Sequence, residues 1–298
     1  MSAEPRVSVV LTTFNRAHVL RPTLDSILGQ TFSDYELIIC DNCSTDGTKE
    51  LCQKYVRADT RVSYYRHQDN IGMPGNLNFG IRKARGVYLA NLHDGDLYDR
   101  TMLEKWVGAL DACSHAAFVF NAYGYLDPSG SPSTKVDRVP LPPCFPGTEL
   151  LRIFFQRWRF DSPVWGMVMA RREHYVTERY FDDRFGFYAD IDMWLKLSTK
   201  HDVAYVNEPL IFLASRNAAP RLFLETRLQT QRTLEHMFWN GRMRHFRGRP
   251  IRKTAEAIRH IAFAMACRSW STALAGRRFV RTLLARIGPR LRERGLFE

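Results

Sequence analysis

Along the first hundred residues, short β-branched apolar runs alternate with longer stretches whose apolar positions recur at a helical period. Val7–Thr12 (VSVVLT) reads as a strand buried on both faces. In Ala17–Leu28 the apolar residues Val19, Leu20, Leu24, Ile27 and Leu28 share one side, which predicts a helix. Glu36–Cys40 (ELIIC) predicts a second strand with Asp41 at its carboxyl end. Ser44-Thr45-Asp46-Gly47 then offers capping chemistry for a helix over Thr48–Tyr55, with Asp46 as the plain cap. Val62–Arg66 predicts a third strand and Asn76–Arg85 a helix closed by Gly86. Val87–Leu92 predicts a fourth strand, running directly into His93-Asp94-Gly95-Asp96.

Strands alternating with helices imply a doubly wound α/β fold with a mostly parallel sheet. Ligands of such sheets bind beyond the carboxyl ends of the strands. Thr13-Phe14-Asn15, Asp41 and Asp94/Asp96 all fall at those ends. The middle of the chain differs. Leu126–Gly147 is rich in Pro, Ser and Gly and reads as a long connection or flap, a kind of loop that often serves as a lid. A helix signal returns over Arg184–Ser198, a last strand over Val203–Val206, and the pattern is helical from Arg221 to the end.

The chain's 298 residues suit one large domain, or one domain with a helical appendage. No run approaches the roughly 18 apolar residues that mark a membrane-spanning helix. The opening MSAEPR lacks a signal-peptide core, so a cytoplasmic protein is expected. Six cysteines are scattered; Cys40 and Cys43 form a CxxC with no second pair, so the cysteines are expected to be reduced and structural. The net charge of +12 is confined to one region. Residues 241–298 hold 15 Lys+Arg and 3 Asp+Glu, whereas the first 240 residues are neutral. A neutral body with an attached basic surface follows.

Two carboxylates one residue apart, in a turn after a buried strand, can face a cation that bridges two phosphate oxygens. Mg2+ and Mn2+ favour that oxygen environment and take few protein carboxylates alongside substrate phosphates. Asp94 and Asp96 have this spacing, with a glycine between them that lets a ligand approach the backbone. The bland alternative is a turn with a helix cap. Asp41, beside Asn42 and Ser44, could accept from a nucleobase imide or simply close an Asx turn.

At this point the motifs carry a resemblance. VSVVLTTFNR, LIICDNCSTDGT and NIGMPGNLNFGIRKARGVYLANLHDGD resemble the opening half of family 2 inverting glycosyltransferases of the GT-A fold. FYADIDMWLKL resembles that family's acidic helix, and the likeness covers roughly residues 5–215. It implies a catalytic domain over 1–220, with a nucleotide-sugar half to about 100 and an acceptor half after it, and a basic helical extension over 221–298. It also implies that Thr12, Thr13 and Asn15 line a nucleotide pocket, that Asp41 meets the base and that Lys83 lies near the donor. Asp96 with Asp94 would hold Mn2+ or Mg2+ and the diphosphate. Asp190 would be the base that deprotonates the acceptor hydroxyl. Two departures keep alternatives open. His93 can occupy the family's first acidic position and Gly95 its third, and Ala189 stands where the family has Glu, which leaves Asp192 as a rival base.

An inverting transfer is one displacement at the anomeric carbon, needing a base within reach of the acceptor hydroxyl and stabilisation of the departing diphosphate. A carboxylate serves as that base near neutral pH only if its surroundings raise its pKa, and Phe187, Tyr188 and Trp194 stand near Asp190 in sequence. Trp165 is a candidate acceptor platform, while Trp158, Tyr123, Tyr125, His174 and His201 suit packing or the surface.

Expected partners are a nucleotide-diphosphate sugar, with UDP or another pyrimidine nucleotide favoured, and a glycan or lipid-linked acceptor. In Arg277–Ile287 the apolar residues gather on one helical side, with arginines largely elsewhere, the pattern of a helix lying on an anionic membrane. That would make the protein peripheral on the inner face of the plasma membrane. Nucleic acid is not an expected partner, because no recognised module accompanies the arginines. Two rival functions remain: a catalytically inactive nucleotide-sugar-binding scaffold, and a sugar-phosphate nucleotidyltransferase, for which TTFNRAHVL is a poor phosphate loop.

Overall fold

The computed structural model describes residues 4–156, 164 and 166–214. These lie in the first of two units into which the chain divides, 1–217 and 218–298. The expected basic helices of the C-terminal extension, and Trp158 and Trp165, fall outside the described residues.

The first half is a run of strand–helix units. β1 (Val7–Thr13), β2 (Tyr35–Asp41), β3 (Val62–Arg66) and β4 (Tyr88–His93) are all parallel, with α1 (Ala17–Leu28), α2 (Thr48–Ala58) and α3 (Gly72–Lys83) between them. β2 is buried along its whole length and β1 at every position but one, so both faces are covered by apolar packing. α1 buries Leu20, Leu24 and Ile27, its predicted stripe, against the sheet.

The second half is mixed. β5 (Leu97–Tyr98), α4 (Met102–Ala112) and the long β6 (Ala116–Leu126) precede β7 (Pro132–Asp137), β8 (Cys144–Pro146) and α5 (Gly147–Gln156). β9 (Val168–Arg171) runs antiparallel between β4 and β6 and so joins the two halves into one sheet. α6 (Arg172–Thr177), a 3-10 turn (Asp183–Tyr188), α7 (Ala189–Ser198) and β10 (Asp202–Leu213) follow. The strand order is β3-β2-β1-β4-β9-β6-β10-β5, with β7 on β6 and β8 on β10. No helix among the described residues is long and apolar enough to cross a membrane.

Several expectations change, among them the last strand, expected over Val203–Val206 and observed as β10 over Asp202–Leu213. α3 begins four residues before Asn76, at Gly72, because tertiary bonds secure it: Asn76 Nδ2 donates to the Cys40 carbonyl at 2.8 Å, and Asn78 exchanges bonds with the Phe181 backbone. The expected flap is tied to the sheet by β7 and β8. The helix expected over Arg184–Ser198 is two elements, broken at Gly186, whose φ of 50° leaves the helical region. Finally, Cys113 at the end of α4 is disulfide-bonded to Cys144 in β8, where reduced thiols were expected. The two cysteines are far apart in sequence, and β8's pairing with β10 brings them together.

Candidate active site at the carboxyl edge of the sheet

Register brings the ends of three strands level: Thr12 pairs with both Cys40 and His93, and Thr13 with Asp41. The turns leaving β1 and β2 are stitched to each other. Asn15, in the left-handed region at φ 53°, donates its N–H to Ser44 Oγ (2.9 Å), and its side-chain oxygen accepts from Thr45 N (2.8 Å). Asp46 accepts from the first amide of α1 through one oxygen and from Thr48 through the other, so this cap serves two helices. Thr12 is half-buried and Thr13 is buried, with an Oγ1 that has no hydrogen-bond partner.

Asp41, expected to meet the base, is held within its own turn. Its carboxylate is fully enclosed, with Oδ1 accepting from Ser44 N (2.8 Å) and Oδ2 from the Tyr64 phenol (2.5 Å). The Asx-turn alternative describes this geometry. Burial, with the bond to Asp41, pushes the Tyr64 phenol well above its ordinary pKa, keeping it a donor. Phe14 and Ile71 leave apolar surface exposed beside these turns. Lys83 lies against the ring of Tyr65, whose strand position pairs with Cys40 near this edge. It is the exposed last residue of α3, its Nζ 5.4 Å from the ring centres of both Tyr65 and Phe79.

After β4, Tyr98 from β5 clamps the His93 backbone, its phenol accepting from His93 N (2.9 Å) and donating to the His93 carbonyl (2.7 Å). Gly95 turns the chain at φ 87° and donates to Thr23 Oγ1, which in turn donates to the Asp96 carbonyl. The three candidate ligands then face different neighbours. Asp94 Oδ1 lies 4.0 Å from Arg16 Nε at the start of α1. Asp96 is fully buried, and its Oδ1 accepts from Ala214 N (3.0 Å). The His93 ring lies against Gly166. Among the described residues, no three His, Cys, Asp or Glu are grouped to hold a metal.

Asp190 stands in the first turn of α7, where its Oδ1 accepts from Ile191 N at 2.7 Å. Burial pushes its carboxyl up to about 6, against the pull of backbone donors at Ile191 and Asp190 itself. Its Oδ2 faces Gly166, beside the His93 ring. Asp192 is instead paired with Lys196 Nζ (2.5 Å) one turn along the helix. Trp194 is buried against Phe118, Phe181 and Tyr175 and fixes the helix to the core. The Phe187 and Tyr188 side chains lie outside the described portion. Arg16, Tyr98, Asn91 and Gly166 were missed in the sequence, and only the i,i+4 spacing of Asp192 and Lys196 was there to be read.

A parallel half joined through an antiparallel strand to a mixed half is the GT-A fold of glycosyltransferases. Solved structures agree: S. aureus TarS 1-349 in complex with UDP-GlcNAc superposes with a TM-score of 0.62 at 16% identity, covering 95% of this chain and 92% of that one. The mannosyltransferase PcManGT of Pyrobaculum calidifontis, in complex with GDP-Man and Mn2+, gives 0.60 at 17% identity, covering 97% and 81%. The chain belongs to glycosyltransferase family 2, whose sequence profile, described as Glycosyl transferase family 2, matches residues 8–174. A relative in Bacillus subtilis, TuaG, assigned to teichuronic acid biosynthesis as a glycosyltransferase, is 32% identical over 46% of this chain. The chain spans 54% of the length of TuaG. In Campylobacter jejuni, the GalNAc(5)-diNAcBac-PP-undecaprenol beta-1,3-glucosyltransferase is 38% identical over 31% of this chain and 30% of its own length. Membership of this family leaves the nucleotidyltransferase alternative without support.

Proposed function

We propose that this protein moves a sugar from a nucleotide-diphosphate sugar to an acceptor hydroxyl in one inverting displacement, with Asp190 as the base. The observation that carries this reading is the placement of Asp190: a carboxyl raised to about 6, beside the end of β4, with one oxygen turned toward Gly166 and His93. A base with that pKa is mostly ionised near neutral pH yet retains more proton affinity than a solvated carboxylate. Asp192, engaged by Lys196, is the poorer candidate.

On the donor side, Thr12, Thr13 and Asn15 line the nucleotide, and the orphaned Thr13 Oγ1 supplies a polar atom to it. Asp41 shapes the base pocket from behind by holding the turn, with Phe14 and Ile71 as its apolar rim. UDP or another pyrimidine nucleotide is the proposed carrier. The donor set suits a divalent cation, Mn2+ or Mg2+, that arrives with the diphosphate and takes one carboxylate from the protein. Asp94 would hold it, whereas the enclosed Asp96 supports the turn. When bound, such an ion would act as a Lewis acid on the leaving diphosphate.

A glycan or lipid-linked acceptor, met by a protein that works in the cytoplasm against an anionic membrane face, completes the reading. It is supported by the basic residues of 241–298 and by the undecaprenol-linked substrate in the Campylobacter relative's name. The test is nucleotide release over a panel of nucleotide sugars with Mn2+, with and without anionic liposomes. Release by wild type is expected, with a large loss in Asp94→Asn. Silence across the panel would favour an inactive binding scaffold, and activity indifferent to liposomes would remove the membrane from the account.

A further inference from the structure

Chain enters β9 through Gly166, whose carbonyl accepts a 2.7 Å hydrogen bond from Asn91 Nδ2 on β4. Asn91 is the one polar side chain in the stretch Leu89–Leu92 and is fully enclosed, and its Oδ1 has no partner. An apolar residue there would leave no acceptor orphaned. The amide thus stands at a position where packing alone would not call for it, and its Nδ2 bond ties down Gly166.

The face of Gly166 opposite that bond is the meeting point of the two halves of the site. A Cβ placed on Gly166 would lie 2.5 Å from His93 Cε1, 2.9 Å from His93 Nε2 and 2.8 Å from Asp190 Oδ2. No real side chain keeps such distances. The imidazole from the end of β4 and the carboxylate from the first turn of α7 therefore close on one backbone atom. Each is held from behind, His93 by the Tyr98 clamp and Asp190 by the Ile191 amide.

We infer that Gly166, tied by Asn91, is a positioning residue that sets the separation between the Asp190 carboxylate and the His93 imidazole. It thereby sets the gap across which the acceptor hydroxyl meets the donor. The inference rests on Asp190 being the base. The atoms that a methyl group would meet are ends of side chains, which can swing away without disturbing the backbone. Gly147 is the contrast, because a Cβ there would strike the backbone carbonyls of His201 and Ser198. Substitution at 166 should therefore spare the fold and spoil the chemistry.

The experiment compares wild type, Gly166→Ala and Gly108→Ala, the last at a helical site where a Cβ meets nothing. Each is measured for melting temperature, affinity for UDP, and kcat and KM with the donor that wild type releases. Gly166→Ala is expected to melt and bind nucleotide like wild type, to keep its donor KM and to lose kcat by ten-fold or more, about 1.4 kcal/mol. Gly108→Ala should match wild type throughout. An undiminished kcat in Gly166→Ala overturns the inference while leaving the proposed function standing. So does a kcat loss matched by losses of melting temperature and UDP affinity. A wild-type protein silent on every donor defeats the proposed function, and this inference with it.

Discussion

The two ends of the same strands are finished in opposite ways. At the amino edge polar groups close on one another. Ser8 Oγ donates to Glu36 Oε1 (2.6 Å) and accepts from the amides of Arg85 and Gly86, while the Arg85 guanidinium returns to Glu36 Oε2 (2.7 Å). Nearby, Arg171 donates to the carbonyls of Ala116, Leu110 and Ser114. At the carboxyl edge, Thr13 Oγ1 is buried without a partner, Asp190 is held at a raised pKa, and Phe14 and Ile71 stand exposed. A closed network is a finished piece of structure. An orphaned buried group costs the fold about 1–3 kcal/mol, a cost that a ligand meeting it can offset.

If this contrast is sound, variants at the two edges should separate stability from activity. The largest effect is expected for Asp190→Asn, which should lower kcat by on the order of 10²–10⁴. It should also stabilise the protein. The folded carboxyl titrates near 6, above its ordinary value of 3.8, so the folded state binds more protons between those values and loses stability as pH rises through them. Removing the charge should thus raise the unfolding free energy at about pH 7.5 by up to about 3 kcal/mol, with the advantage vanishing toward about pH 4. Wild-type turnover should fall as pH drops through about 6. An Asp190→Asn enzyme with wild-type turnover would end the assignment.

Next in size is the amino edge. Glu36→Gln leaves the Arg85 and Ser8 groups poorly matched and should cost about 1–3 kcal/mol in denaturant unfolding, with kcat within about two-fold of wild type. A selective loss of kcat there would erase the contrast. The smallest effect should come from Thr13→Val, which removes an unsatisfied hydroxyl at nearly constant shape. Unfolding free energy should stay level or rise by about 1 kcal/mol, while nucleotide affinity by calorimetry weakens several-fold. Unchanged affinity would mean that the orphaned oxygen does not meet the nucleotide.

Much of the first half was legible in the sequence. α1 and β3 have the bounds their patterns predict, and β1, β2 and β4 are within a residue. Strands buried on both faces and a helix with one apolar stripe declare themselves locally. α3 hid its first turn behind Gly72, Pro74 and Gly75, which look like loop until Asn76 and Asn78 find their distant partners. β7 and β8 hid because edge pairing supplies what their own sequence lacks. The acidic cluster was legible as a motif, but the separate neighbours of its members were not.

By itself, then, the sequence determined the alternation of strands and helices, the edge that carries the candidate site and the family to which the chain belongs. These are written in periodicity and in short motifs, which act over a few residues. Tertiary structure decided which carboxylate stands beside His93, which aspartates are enclosed, and that a glycine lies between the two sides. Such choices depend on groups carried to one place by strands far apart in the chain, and no local pattern encodes that convergence.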